Sequence, residues 1–161
     1  MATRTNLPAA EVDGTPLPAS WLNDLRGAFR ILQVVYAQTT TAVGSTSASW
    51  IDTGLSASIT PQSSTSRILI YASHSVYCQG VAGGGFLVMR NFTTLQTFLD
   101  VNYYSGGGNL VSHWANTFLD SPATTSAITY KTAQNRITGS GIFYTQVNSN
   151  PGTLVLMEVS A

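Results

Sequence analysis

Apolar and polar residues alternate with a period of two over most of this chain, and they recur at three and four residues over one stretch near the N-terminus. The strand-like part begins at Ile31 with ILQVVYAQTT. A Ser/Thr-rich connector, Thr39 to Ser49, follows, then ASWIDT and LSASIT around a predicted turn at Gly54. The cluster PQSSTS, Pro61 to Ser66, predicts a turn leading into Arg67 to Gln79, the most strand-like run of the chain. The first half of that run is apolar on both parities, which predicts a central strand covered on both faces. The glycines from Gly80 to Gly85 read as a break between strands. Then come FLVMRN, LQTFLDV, LVSHWANTFLD, SAITYKTAQNRI, GIFYTQV and TLVLMEVS, separated by segments rich in turn-forming residues. About ten short strands at this spacing predict an all-β fold, an antiparallel β-sandwich of jelly-roll-like kind. The tetrapeptide TFLD ends at Asp100 and again at Asp120, as equivalent strand ends in one sandwich would.

The helical period is confined to Gly14 to Val35. Pro16 and Pro18 bias the chain toward extended geometry before Ser20, which is suited to cap a helix. Trp21, Leu22, Leu25, Ala28, Phe29 and Leu32 then form one apolar stripe, with Asp24 in the first turn where the helix dipole favours an anion. Gly27 weakens the interior by about 1 kcal/mol relative to Ala, and a lone helix of about three turns is marginal in water. It is expected to dock, either closing the bottom of its own domain or gripping a partner subunit. Residues 1–19 hold Pro8, Pro16 and Pro18 among small and polar residues, the composition of an extended arm. Stretched out, such an arm reaches roughly 60 Å. The division expected is residues 1–35, an arm and short helix for attachment, and residues 36–161, the β-sandwich.

Composition sharpens this picture in one respect. Charged residues make up 9% of the 161, against about 25% in typical soluble domains. Seven basic and seven acidic residues give a net charge of zero, so no long-range field keeps copies apart. The basic residues are scattered, which argues against nucleic acid as a partner. No apolar run approaches the roughly 20 residues needed to span a bilayer, and the N-terminus lacks a hydrophobic secretory segment. The chain is expected to be made in the cytoplasm and to have no membrane partner. Cys78, the single cysteine, reads as an inert buried hydrophobe.

Candidate chemistry is sparse. His74 and His113 lie in strand patterns without the third ligand that a zinc site needs, and both read as satisfied structural histidines. Ser73, Ser112 and the TFLD aspartates lack a nucleophile-elbow sequence around any serine. Gly83 to Gly85 and Gly106 to Gly108 do not open a helix, as a phosphate-cradling loop requires, and read as loops between strands. The chain is therefore expected to be no enzyme, with no catalytic residue, cofactor or metal.

The segments SWIDTGLSASITPQSSTSRILIYAS, FLDSPATTSAITYK and TLVLMEVSA resemble small bacteriophage virion proteins of phages of cyanobacteria and other aquatic bacteria. PLPASWLNDLRGAFRILQV resembles their N-terminal attachment segment. The resemblance runs over most of the chain and implies a virion part, commonly a trimer of β-sandwich domains. It covers capsid decoration or cement proteins, head fibres and tail fibres alike. A proline-rich arm plus one amphipathic helix suits a protein that grips a shell, and no heptad or other long repeat supplies the shaft of a tail fibre. The expectation is a homotrimeric decoration protein on the capsid surface, assembled in the host cytoplasm. It would attach to the major capsid protein or another virion protein through Leu7, Pro8, Pro16, Leu17, Pro18, Trp21, Leu22, Leu25 and Phe29. The alternative is a short fibre or tail tip binding a host surface glycan, with Tyr103, Tyr104 and Trp114 near the Gly106 to Gly108 loop as the platform facing the receptor, although core or interface packing suits Trp114 better.

Overall fold

A computed structural model describes residues 30–106 and 108–160. Ten strands form two antiparallel sheets packed face to face: β1 (Ile31–Thr39), β2 (Val43–Ser45), β3 (Ile51–Ile59), β4 (Arg67–Gln79), β5 (Ala82–Arg90), β6 (Thr93–Tyr104), β7 (Asn109–Asp120), β8 (Ile128–Gly139), β9 (Ile142–Thr145) and β10 (Gly152–Val159). The fold is an all-β sandwich, as the alternation predicts. The arm and the helix as far as Phe29 lie outside the described residues. Leu32, counted in the helical stripe, is a residue of β1. The division at residues 35 and 36 runs through that strand, so Ile31 to Val35 belong to the sandwich.

The first sheet is organised on β4. One edge of β4 pairs with β7 along its length, from Ile68 opposite Asp120 to Gln79 opposite Asn109. The other edge is shared by β10, which pairs with Arg67 to Ser73, and β9, which pairs with Val76 to Gln79. β1 flanks β10, and β2 flanks β9. The second sheet runs β3-β8-β5-β6. Strict alternation on β4 sends Ile68, Ile70, Ala72, His74, Val76 and Cys78 inward, where they meet Leu55, Ile59, Phe86, Val88, Tyr130, Leu154 and Leu156. Cys78 is fully buried, and burial pushes its thiol up.

Three expectations are corrected here. Gly54 is no turn: β3 runs straight through it, and its positive φ of 76° sits at a register shift between Asp52 and Ser56, a bulge that only glycine adopts without strain. Asp100 and Asp120 are not equivalent strand ends, since Asp100 lies inside β6 with φ 49° whereas Asp120 closes β7. Gly83 to Gly85 are not a loop but buried residues of β5. A Cβ on Gly84 would stand 2.5 Å from both the Asn135 carbonyl oxygen and the Phe143 ring. The glycines are strand residues because the neighbouring strands β6 and β8 of the same sheet, and Phe143 of the opposite one, come too close for a side chain. Gly84→Ala is expected to destabilise the fold by about 1–3 kcal/mol, measured as a lowered urea midpoint; an unchanged midpoint would show that Phe143 moves aside freely.

The strands give the sandwich two ends. Arg30 and Ser160 meet at one of them through backbone and hydroxyl hydrogen bonds, Arg30 N–H to Ser160 Oγ at 3.2 Å and Ser160 N–H to the Arg30 carbonyl at 3.0 Å. β4 leaves that end and arrives, about 40 Å away at about 3.3 Å per residue, among the turns at Gly80, Ser105–Gly106 and Ser140. There Gly80 N–H bonds the Gly108 carbonyl at 3.0 Å, and Gly141 N–H bonds the Val81 carbonyl at 2.7 Å.

Candidate functional site

Among the described residues the densest polar chemistry is buried. Between Thr145, the end of β9, and Gly152, the start of β10, the chain leaves the sheet for six residues, opposite only His74 and Ser75 of β4. Left-handed backbone at Gln146, Asn148 and Ser149 makes that excursion and folds the Gln146 side chain into the core. Its amide N–H faces His74 Nδ1 at 2.6 Å, so that nitrogen accepts and the other, Nε2, donates to Thr132 Oγ1 at 2.9 Å. Thr132 in turn meets Thr53 Oγ1 at 2.6 Å, and the Thr53 hydroxyl donates to the Thr132 carbonyl. The His74 ring lies flat against Phe86, centroids 4.8 Å apart, with Trp114 on the same stack. Burial lowers the His74 pKa from 6.5 to about 3. A neutral, fully enclosed imidazole whose contacts are an amide, a threonine hydroxyl and two aromatic rings holds strands together and cannot reach a substrate.

Two further polar clusters are structural by the same reasoning. Asp120 accepts two hydrogen bonds from Arg90 Nη1, at 2.8 and 3.1 Å, and a third from the Tyr130 hydroxyl at 2.7 Å. Burial, then the hydrogen bond and charge of Asp120, push the Tyr130 phenol up. Glu158 is fully buried. Burial disfavours its charge, but hydrogen bonds from Gln33 Nε2 and from the Gln62 backbone N–H outweigh that and hold the carboxyl below its usual range. Among the described residues no group of three or more His, Cys, Asp or Glu is placed to hold a metal. Among them, too, no helix is long and apolar enough to cross a membrane.

The residues singled out from sequence fall in three places. Leu7, Pro8, Pro16, Leu17, Pro18, Trp21, Leu22, Leu25 and Phe29 lie outside the described residues. Tyr103 and Tyr104 stand at the end far from Arg30, but on opposite faces of β6. Tyr103 is 51% exposed, its ring over Gly83, while Tyr104 packs toward the core with its hydroxyl at the Gly106 and Gly108 turn. They do not make one platform. Trp114 is in the core, as expected. His74 matches its reading as a satisfied core histidine, and His113 does not, because it faces outward from β7 and is exposed.

No protein-family model matches the chain, and no curated protein does. Among solved structures, that of the infectious bursal disease virus Gx strain aligns with a TM-score of 0.37 and 16% identity, over 81% of this chain and 39% of the other. The VP2 subviral particle of the same virus gives 0.39 and 15% identity, over 80% and 39%. This chain spans about two fifths of the length of those chains. The likeness is one of all-β layout and extends no further.

Two surface features were not singled out in the sequence. Phe92, in the two-residue turn between β5 and β6, is 92% exposed beside a shallow depression lined by Asn91, Thr129 and Lys131. The larger feature is the outward face of the β4 sheet. Ile31, Val34 and Tyr36 of β1, Val155 and Met157 of β10, Leu69, Tyr71 and Tyr77 of β4, and Val111 and Leu119 of β7 all point away from the core. Its signal was available: in β4 and β10 the residues between the core positions are themselves largely apolar. The outward face of the other sheet is ordinary by comparison, with Asp52, Ser56, Ser58, Thr129 and Lys131, an exposed Asp52–Lys131 ion pair of 3.2 Å and a Ser58–Thr129 hydrogen bond.

Proposed function

We propose that this protein is a non-enzymatic structural component of a bacteriophage virion, a homotrimeric decoration or cement protein of the capsid surface. It attaches to the major capsid protein, or another virion protein, through residues 7–29 and stabilises the shell. The observation that carries this reading is the polarity of the sandwich. The chain enters it at Arg30, at one end, directly after the proline-rich and amphipathic stretch, and the glycine-rich turns project at the other. The buried state of its titratable and polar clusters supports a load-carrying part in place of a catalyst. The resemblance of several segments to phage virion proteins points the same way.

A second reading, a short fibre or tail tip for a host surface glycan, is favoured by one observation: half-exposed Tyr103 stands at the end remote from Arg30. A glycan array with the wild type and Tyr103→Ala separates the two.

The test of the main reading is co-sedimentation with parent particles. Trp21→Ala is expected to weaken particle binding by about 30-fold, the equivalent of roughly 2 kcal/mol of lost apolar burial. Thr41→Ala, in the exposed connector after β1, should leave binding unchanged. Retained binding by Trp21→Ala with a lowered melting temperature would mean that this segment closes its own domain.

A further inference from the structure

We propose that the outward face of the β4 sheet, β1-β10-β4-β7, is the surface on which copies of this chain meet. This deepens the self-association part of the reading above and is independent of which virion protein the assembly sits on.

Six of the nine exposed large apolar side chains among the described residues lie on this face: Ile31, Val34, Tyr36, Tyr71, Val111 and Leu119, each between 40% and 61% exposed. Between them stand half-buried Leu69, Val155, Met157 and Tyr77. Of the Lys, Arg, Asp and Glu residues of these four strands, Arg67 alone points this way, and it stands at the rim. The sequence of β4 is that of a strand covered on both faces, yet among the described residues its outward face from Arg67 to Ser73 has no cover.

Size and charge say what the cover is. Four strands about 4.8 Å apart and about ten residues long, at about 3.3 Å each, outline roughly 600 Å² before side-chain relief is added. A standard interface takes about 800 Å² from each partner, and an apolar patch above a few hundred Å² marks an interaction site. Apart from Arg67 at the rim, the face offers a charged partner nothing to pair with. Away from that rim it meets no like charge against another copy, in a chain whose net charge is zero. Its tyrosines, Tyr36, Tyr71 and Tyr77, are of the residue type enriched where subunits pack.

The experiment is light scattering and sedimentation of the full chain at micromolar concentration, with three variants. The wild type is expected to be an oligomer. Tyr71→Lys, at the centre of the face, should raise the dissociation constant about 100-fold or more, because it sets like charges against an apolar contact. Ser58→Lys, on the outward face of the other sheet, should change nothing. Thr117→Cys, an exposed position beside Tyr71, should resist thiol reagents in the oligomer and react on dilution, with buried Cys78 silent. This variant decides the matter if Tyr71→Lys fails to fold. A wild-type monomer with a reactive Thr117→Cys thiol overturns the proposal. So does a monomer with a protected thiol, which would put residues 1–29 of the same chain on the face. An oligomer indifferent to Tyr71→Lys, with Thr117→Cys reactive, overturns it as well. An oligomer that ignores particles strikes the virion reading and leaves this one standing.

Discussion

Between pH 6.5 and pH 4 the folded protein should lose about 3 kcal/mol of stability, chiefly through one imidazole. His74 keeps its ring neutral in the fold until about pH 3, whereas the unfolded chain binds a proton from about pH 6.5 downward. The unfolded state therefore holds more protons across that window. Stability is complete above the unfolded value and falls as pH falls, by about 1.4 kcal/mol per unit. The groups on the ring, Gln146, Thr132, Phe86 and Trp114, carry no charge that could stabilise an imidazolium. Glu158 adds to the effect at its lower end. Its folded pKa is depressed, so its contribution is present above its ordinary 4.5 and disappears as pH drops through the folded value. Urea midpoints from pH 7.5 to 4 measure the slope. His74→Gln, which retains a polar group but does not titrate, should flatten it even if the variant is weaker at pH 7. Identical slopes in the two proteins would assign the acid sensitivity elsewhere.

Asp120→Ala should cost about 3 kcal/mol at neutral pH. Removing the carboxylate strands the Tyr130 hydroxyl, which is fully buried, and leaves Arg90 to find water with a side chain only 27% exposed. Tyr130→Phe should cost about 1 kcal/mol, since Asp120 keeps both bonds to Arg90. The double variant is the sharper measurement. Without the hydroxyl there is nothing buried left unpaired at Tyr130, so the combined loss should fall short of the sum by about 1 kcal/mol. Strict additivity in chemical denaturation would contradict the shared network.

Where the sequence alternated cleanly, it could be read to the residue. Arg67 to Gln79 places Ile68, Ile70, Ala72, Val76 and Cys78 on one parity, broken by His74 alone, and β4 has those bounds. The misreadings of glycine share one cause: residues that usually punctuate a chain are used here inside strands. Gly83 to Gly85 sit in β5 because Phe143 and Asn135, from strands distant in sequence, and Phe98 of the adjoining β6 leave no room for a Cβ. Gly54 permits a bulge, and only its pairing with β8 shows that the strand continues. The environment of His74 was equally illegible, since its amide partner lies 72 residues away on an excursion defined by three left-handed residues. The apolar outward face, by contrast, was written into β4 as a run apolar on both parities. What the run could not say is that no element among residues 30–160 would cover it.

The meeting of Arg30 with Ser160 has a practical side. Whatever precedes residue 30 and whatever follows residue 160 emerge from the sandwich side by side. A foreign peptide appended after residue 160 would then crowd the end at which residue 30 enters the sandwich. The same peptide spliced into the Ser105–Gly106 turn would ride at the opposite pole, about 40 Å away. As a scaffold for display, this domain presents cargo through an internal turn, and its free ends are better kept for tethering.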